Sequence, residues 1–137
     1  METPIEWSDD LLFHIDEIDD QHRNLFLLIN RLIGHKRNHG PREELIDLLR
    51  VLVAFAQTHF RTEENHMTES HYPHALEHYE EHEEFTKCIH NFMGDYERGK
   101  EDLSDKMLTF LRHWWNTHVA KSDQTLARYL KEKGHPS

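Results

Sequence analysis

Four stretches of apolar residues at helical spacing, separated by glycine and proline, constrain this chain more than any other feature of its sequence. The breaks fall at Gly40-Pro41, Tyr72-Pro73 and Gly99, and these residue types mark turns. Within each stretch the apolar residues recur every three or four positions, and polar residues fill the other face. The stripes contain Ile18, Leu25, Phe26, Ile29, Leu32 and Ile33; then Leu45, Leu48, Leu49, Leu52, Phe55 and Ala56; then Phe85, Ile89, Phe92, Met93 and Tyr96; and last Met107, Phe110, Leu111, Trp114, Leu126 and Leu130.

This periodicity predicts four helices, at about residues 17–38, 42–66, 73–97 and 104–131. Because short turns join them, consecutive helices should run antiparallel, which predicts an all-α, up-and-down four-helix bundle. The first 15 residues lack this periodicity, so we expect a non-helical arm (1–15) packed along the bundle through Ile5, Trp7, Leu11 and Leu12. A chain of 137 residues can bury a core of its own, so we expect a single domain over 1–137.

The composition excludes several classes of partner. The chain carries 16 Lys and Arg against 26 Asp and Glu, a net charge of -10, and an acidic surface repels nucleic acids and anionic lipids. It contains no run of ~18 apolar residues that could span a membrane, and its first ten residues lack the apolar segment of a signal peptide. The single cysteine, Cys88, cannot form an internal disulfide. We therefore expect a cytoplasmic protein that binds neither nucleic acid nor membranes.

Seven residues of metal-ligating type continue the apolar stripes. His22 lies four positions after Ile18, and His118 lies four after Trp114. Other members lie four residues apart, so that their Cβ atoms are about 5–6 Å apart on one helix face. Four helices that point such residues inward form a cage without any loop. The full set is His22, His59, Glu63, His78, His82, His118 and Asp123.

Each of these residues has an ordinary explanation when it is taken singly. A histidine on an apolar stripe is usually a hydrogen-bonded core residue, and a His-x3-His pair is common in a chain with 14 histidines. Together, five imidazoles and two carboxylates would be costly to bury unless metal ions satisfied them. The set exceeds one tetrahedral zinc site, and calcium and magnesium prefer oxygen ligands. It suits two iron ions that share the carboxylates, with manganese and zinc as alternative occupants.

Longer motifs around these residues resemble a known family. The motifs are Trp7-Ser8, Ile18-Asp19-Asp20-Gln21-His22, His59-Phe60-Arg61-Thr62-Glu63-Glu64 with Met67, Tyr72-Pro73, His78-x3-His82-x2-Phe85, and Trp114-x3-His118-Val119-x3-Asp123. Through them the chain resembles the hemerythrins over nearly its whole length. Hemerythrins are four-helix bundles, in agreement with the fold expected from the periodicity.

The resemblance implies a centre of two iron ions, Fe2+ or Fe3+, with a bridging oxo or hydroxo group. One iron would be bound by three histidines and the other by two, with two bridging carboxylates: His78, His82 and His118; His22 and His59; Glu63 and Asp123. The second iron would lack one ligand, and in the family that open position binds O2 reversibly, or small anions such as azide. We expect an apolar lining from neighbours of the ligands, namely Leu25, Phe26, Phe55, Phe60, Trp115 and Val119.

The spacing of His118 and Asp123 predicts a local irregularity in the last helix. Five residues of an ideal α-helix turn by about 140° net, so these two side chains would not share a face. If both bind the same metal pair, the helix must widen into a π-type turn or bend between them.

Three features depart from the family pattern. Trp115 stands next to the expected O2 site, where the family normally has leucine. Its indole would fill or narrow the pocket, donate a hydrogen bond to a bound oxygen species, point outward, or repack without consequence. His66 makes a Glu63-x2-His66 spacing, as in ferritin-like di-iron oxidases. The matching second motif is missing, since Glu132-x2-His135 lies in the tail, so we expect His66 to have a packing or supporting role. The third departure is a set of additional histidines, for which we expect solvated side chains: His14, His71, His74, His90 and His113.

Three functions fit this set of residues. The first is reversible O2 binding for carriage, storage or sensing. The second is an enzyme at the same irons, an oxidase or peroxidase or one that handles nitric oxide or peroxide, and the third is metal storage. An enzyme needs a proton donor or base beside the open iron, and only Trp115 and His66 hint at one. The sequence therefore favours an O2-binding protein.

Overall fold

The protein is a bundle of four long helices, in a computed structural model that describes residues 7–133. The first three helices are α1 (Asp16–Arg37), α2 (Glu43–Ser70) and α3 (Ala75–Glu97). The fourth is continuous but consists of three parts: α4 (Leu103–Trp114), a π-helical segment (Trp115–Ser122) and α5 (Asp123–Glu132). No strand occurs within the described residues. The predicted all-α, four-helix fold is confirmed, while Ile5 and His135 lie outside the described residues.

The helices form a closed ring, because α1 packs against α2 and α4, and α3 packs against the same two helices. Tight turns join consecutive helices, so neighbours in the ring run antiparallel. Within the described part of the chain, no helix has both the length and the apolar character needed to cross a lipid bilayer.

Two separate apolar clusters fill the ring, one towards each end. The larger contains Leu25, Leu52, Phe85 and Trp114, among others. The smaller is formed by Phe13, Ile18, Met67, Tyr72, Leu126, Ala127 and Leu130. On each helix the ligand-type residues lie where these two clusters meet, so the polar layer has apolar residues on both sides and lies nearer the end that holds the smaller cluster.

The three turns between helices share one geometry. In each, the first or second residue after the helix adopts a left-handed conformation: His39 with φ 50°, His71 with φ 57° and Gly99 with φ 72°. After α3, the Lys100 N–H donates to the Asp95 carbonyl at 3.0 Å, the pattern of a Schellman turn. α1 and α2 end with hydrogen bonds of the same Schellman pattern. The chain thus reverses within a few residues, as an up-and-down bundle requires.

Two boundaries differ from those expected from periodicity. α2 continues past the expected end at 66 to Ser70, because Met67 extends the buried stripe and no breaker precedes Tyr72. The arm is not wholly non-helical, since Asp9–Leu11 forms one 3-10 turn. The Leu11 N–H donates to the Ser8 carbonyl at 2.9 Å there, a local bond that hydrophobic periodicity does not reveal.

The arm is fastened to the bundle by specific contacts. The Asp19 carboxylate accepts hydrogen bonds from the backbone N–H groups of Phe13 (2.6 Å) and His14 (3.1 Å). The Gln124 amide donates to the Leu11 carbonyl at 2.8 Å. Trp7 packs its indole against neighbouring rings of the bundle, as expected for the arm. The arm therefore depends on polar ties to α1 and α5 as well as on apolar packing.

We expect Asp19→Ala to lower the free energy of unfolding by about 2–4 kcal/mol, because two backbone donors lose a charged acceptor. Urea unfolding of the metal-free protein measures the change. Asp20→Ala is the matched control, since Asp20 is exposed and its ion pair in the described part of the chain is with the exposed Arg23 at 3.7 Å. Equal losses in the two variants would contradict the role of Asp19 in holding the arm.

Candidate metal centre

The structure brings all seven predicted ligand side chains together in one layer inside the bundle. They form two groups, and within each group the candidate ligand atoms lie within 4.8 Å of one another. None of the seven is more than 3% exposed. The three-histidine group consists of Glu63, His78, His82 and His118, and the two-histidine group of His22, His59, Glu63 and Asp123.

The Glu63 carboxylate divides its two oxygens between the groups. Its Oε1 lies 2.9 Å from Nε2 of His82 and 3.0 Å from Nε2 of His78. Its Oε2 instead faces Nε2 of His59 at 3.3 Å. A carboxylate in this orientation can bridge two metal ions.

Asp123 is oriented in the same way by the irregular helix. The chain is π-helical from Trp115 to Ser122, and one wider turn of this kind aligns residues five apart. Asp123 Oδ1 lies 3.1 Å from Nε2 of His118, and Oδ2 lies 2.9 Å from Nε2 of His22. The predicted π-type widening is confirmed, and it gives the centre its second carboxylate that faces both groups.

Several buried atoms in the layer face one another at short distance but are not oriented as hydrogen bonds, and they have no other partner among the described residues. They include Nε2 of His59 and His118, Oε2 of Glu63 and Oδ1 of Asp123. Unsatisfied buried polar atoms are rare because each costs free energy. These atoms converge on one another, and imidazole with carboxylate is a common ligand mixture for transition metals. The residues therefore fit a metal centre.

The charges of the layer are strongly coupled in the absence of metal. Burial alone would lower the pKa of His22, but the facing Asp123 and Glu63 outweigh it and raise the pKa from 6.5 to about 9. The same balance raises the pKa of His78 to about 9 and that of His118 well above its usual value. Burial opposes ionisation of Glu63, yet the surrounding imidazoles hold its pKa well below 4.5. The two buried carboxylates therefore favour the protonated form of the three histidines that face them.

Three further polar residues contact the outward-facing nitrogens of the histidines. Nδ1 of His59 lies 2.6 Å from Gln21 Oε1, Nδ1 of His82 lies 2.9 Å from Glu64 Oε2, and Nδ1 of His118 lies 2.7 Å from Glu81 Oε1. We call Gln21, Glu64 and Glu81 the backing residues. Their roles were missed from the sequence, although each one is adjacent in the chain to a ligand on its own helix.

Aromatic rings stack on the ligand histidines. The ring centroids of Phe60 and His82 are 3.9 Å apart, with an interplanar angle of 8°, so Phe60 covers the three-histidine group. Phe55 stacks on His59 at 5.1 Å. Of the six expected lining residues, Phe26 and Phe55 are half-buried and the other four are buried, namely Leu25, Phe60, Trp115 and Val119. The O2-lining role of this set stays a prediction.

The residues that depart from the family pattern fall into different places. Trp115 does not point outward, because it is buried against Phe26 (6.0 Å) and Trp7 (6.1 Å). His66 is half-buried and lines a polar pocket of about 220 Å³ that includes none of the seven ligands. The additional histidines are exposed, as expected: His14, His71, His74, His90 and His113.

We expect the metal-free protein to lose several kcal/mol of stability between pH 6.5 and about 9. A histidine with a raised folded pKa contributes stability that is complete below pH 6.5 and is lost as the pH rises through about 9. His59, whose pKa is lowered by burial, acts in the opposite direction but is outnumbered. Urea unfolding at both pH values tests this, and metal-loaded protein, whose ligand nitrogens are occupied, should change much less. A flat profile without metal would contradict the proton network.

Comparison with known proteins agrees with this geometry. The sequence matches the family described as "Hemerythrin HHE cation binding domain" over residues 14–130. A bacteriohemerythrin of Stenotrophomonas maltophilia is 33% identical over 125 residues, which cover 91% of this chain and 80% of that protein. A bacteriohemerythrin of Pseudomonas aeruginosa is 30% identical over 118 residues, 85% of this chain and 75% of that protein. The crystal structure of a wild-type hemerythrin shares the fold, with a TM-score of 0.80 at 24% identity, covering 93% of this chain and 98% of that one. The chain belongs to the hemerythrin family.

Proposed function

We propose that this protein binds O2 reversibly at a pair of iron ions. In this proposal His78, His82 and His118 would hold one iron, and His22 and His59 would hold the other. The two carboxylates would serve both irons, and an oxo or hydroxo group would belong to the cofactor. The iron pair, when bound, would supply the electrons that hold O2. The proposal also places the protein in the cytoplasm, where the lone thiol of Cys88 stays reduced.

One observation carries the proposal: the two buried carboxylates each present one oxygen to either histidine group. Glu63 does so from α2, and Asp123 does so from the end of the π-helical segment. A single metal ion would need only one oxygen of each. A layout in which both oxygens face separate groups is therefore best explained by two metal ions held side by side.

The unequal number of histidines supports an open position for an external ligand. His22 and His59 provide two nitrogens where the other group provides three. The missing nitrogen leaves room for O2, or for a small anion such as azide, on the two-histidine side. Iron suits this imidazole and carboxylate mixture better than calcium or magnesium does.

The surroundings of the two-histidine group favour binding over catalysis. Leu25 and Phe26 lie one helical turn from His22 on α1, and Phe26 packs on the buried Trp115. Phe55 covers His59. An apolar surrounding excludes water and slows proton delivery to a bound ligand. Trp115 contributes to this apolar packing, so it supports the carrier over an oxidase.

We expect Glu63→Ala to lose metal and stability together. Removal of the carboxylate leaves the facing imidazoles without a shared acceptor, which should cost about 3–5 kcal/mol in the metal-free protein. Metal affinity should fall by at least about 100-fold, since even outer partners of ligands contribute 10–100-fold. Elemental analysis and thermal unfolding test both effects.

Glu69→Ala is the control for this variant, because Glu69 is exposed on the same helix. It should keep its metal and its stability. Full metal content in Glu63→Ala would refute the assignment of Glu63 as a bridging ligand.

The optical response to O2 separates a carrier from an oxidase. We expect iron-loaded protein, reduced without air, to gain a visible charge-transfer band when O2 is admitted and to lose it when O2 is removed. The same protein loaded with zinc, which has no redox chemistry, should show no band. Irreversible oxidation within the first exposure would defeat the carrier and favour the enzyme.

A further inference from the structure

The backing residues differ in charge between the two ligand groups. The two backing residues that carry a carboxylate both contact the three-histidine group: Glu64 contacts His82, and Glu81 contacts His118. Among the described residues, the two-histidine group has only the neutral amide of Gln21, at Nδ1 of His59. Nδ1 of His22 is buried and has no hydrogen-bond partner among the described residues.

The contacts of Glu81 and Gln21 are fixed by further hydrogen bonds. The Ser122 hydroxyl donates to Glu81 Oε1 at 2.7 Å, which holds the carboxylate beside the histidine it backs. The Gln21 amide donates from Nε2 to the Thr62 hydroxyl at 3.2 Å, and Thr62 donates to the Thr58 carbonyl at 2.9 Å. Because Nε2 is used in this way, Gln21 Oε1 is the atom left to accept from Nδ1–H of His59.

The charge of an acceptor at Nδ1 changes the metal-binding nitrogen on the other side of the ring. A carboxylate draws the Nδ1 proton towards itself, so electron density at Nε2 rises and the imidazole becomes a stronger ligand. A neutral amide does this to a smaller extent, and a histidine without any acceptor gains nothing. The two groups should therefore differ in ligand strength beyond the difference in the number of histidines.

We propose that Gln21, Glu64 and Glu81 are positioning residues that rank the two metal positions. The two carboxylates make the three-histidine position the tighter one, which fills first. The neutral Gln21 keeps the two-histidine position weaker, so that its metal remains free to exchange an external ligand. This inference rests on the ligand set of the proposed function, but it concerns the neighbours of the ligands.

The order of filling can be read without iron chemistry. Metal-free protein labelled with 15N-histidine is titrated with Zn2+, and the ring signals are followed by NMR. The first equivalent should shift the signals of His82 and His118, and the second should shift those of His22 and His59. Competition with a chelator then gives an affinity for each step.

Isosteric variants change the charge of the backing residues while keeping their shape. Gln21→Glu should tighten the second step by about 10-fold or more, and Glu64→Gln should weaken the first by about 10–100-fold. Asn24→Asp adds the same charge to α1 on an exposed side chain, and Glu83→Gln removes one from an exposed position of α3. Both controls should leave the two affinities within about twofold of the wild type, because long-range surface charge is screened.

The outcomes separate this proposal from the proposed function. Two Zn2+ ions bound with affinities that Gln21→Glu and Glu64→Gln leave unchanged would overturn the ranking alone. So would equal effects of Asn24→Asp and Gln21→Glu, or signals of His59 that shift with the first equivalent. A wild-type protein that bound fewer than two ions would overturn this proposal and the di-iron centre together.

Discussion

Two carboxylates buried among five imidazoles are the constraint on which the rest of this structure depends. Glu63 and Asp123 have no exposed surface, and neither could be buried alone without a large desolvation cost. Their four oxygens reach histidines on all four long helices, so the polar layer ties the four helices together. The apolar clusters above and below it keep water out, which strengthens every electrostatic contact within the layer. Fold and site are therefore one arrangement.

The π-helical segment shows what this layer demands of the backbone. An α-helix from His118 to Asp123 would turn the carboxylate away from the other ligands. The observed segment, Trp115–Ser122, gives up regular α-helical hydrogen bonding in the middle of a long helix. Nothing in the apolar periodicity of that helix calls for such a change, since Trp114 and Leu126 are buried on either side of it. Local helix preference yields where the site requires a different register.

The parts of the structure that the sequence predicts are those governed by period and spacing. The apolar stripes predict the helices, and the glycine and proline residues predict the turns. The spacing of five residues between His118 and Asp123 predicts the π-helical segment. The parts that escape prediction depend on contacts between distant segments. Trp115 is buried because Trp7, in an arm without periodicity, packs against it. Likewise, the sequence does not reveal that Asp19 turns back to hold the backbone of Phe13.

The backing residues also follow a rule that helix geometry supplies. A residue next to a ligand points about 100° away from it, towards a neighbouring helix. In the sequence, Gln21 comes directly before a ligand-type residue of α1, Glu64 directly after one of α2, and Glu81 directly before one of α3. The position alternates between before and after because successive helices run in opposite directions. All three side chains therefore reach the next helix in the same rotational direction around the bundle.

On the fourth helix, the same alternation predicts a backing residue directly after a ligand-type residue. The candidates are Val119 and Gln124. Val119 is apolar and buried, and Gln124 donates instead to the arm at Leu11. Within residues 7–133, no hydrogen bond of this kind therefore supports His22. The unequal support of the two histidine groups thus follows from which residue stands beside each ligand-type residue.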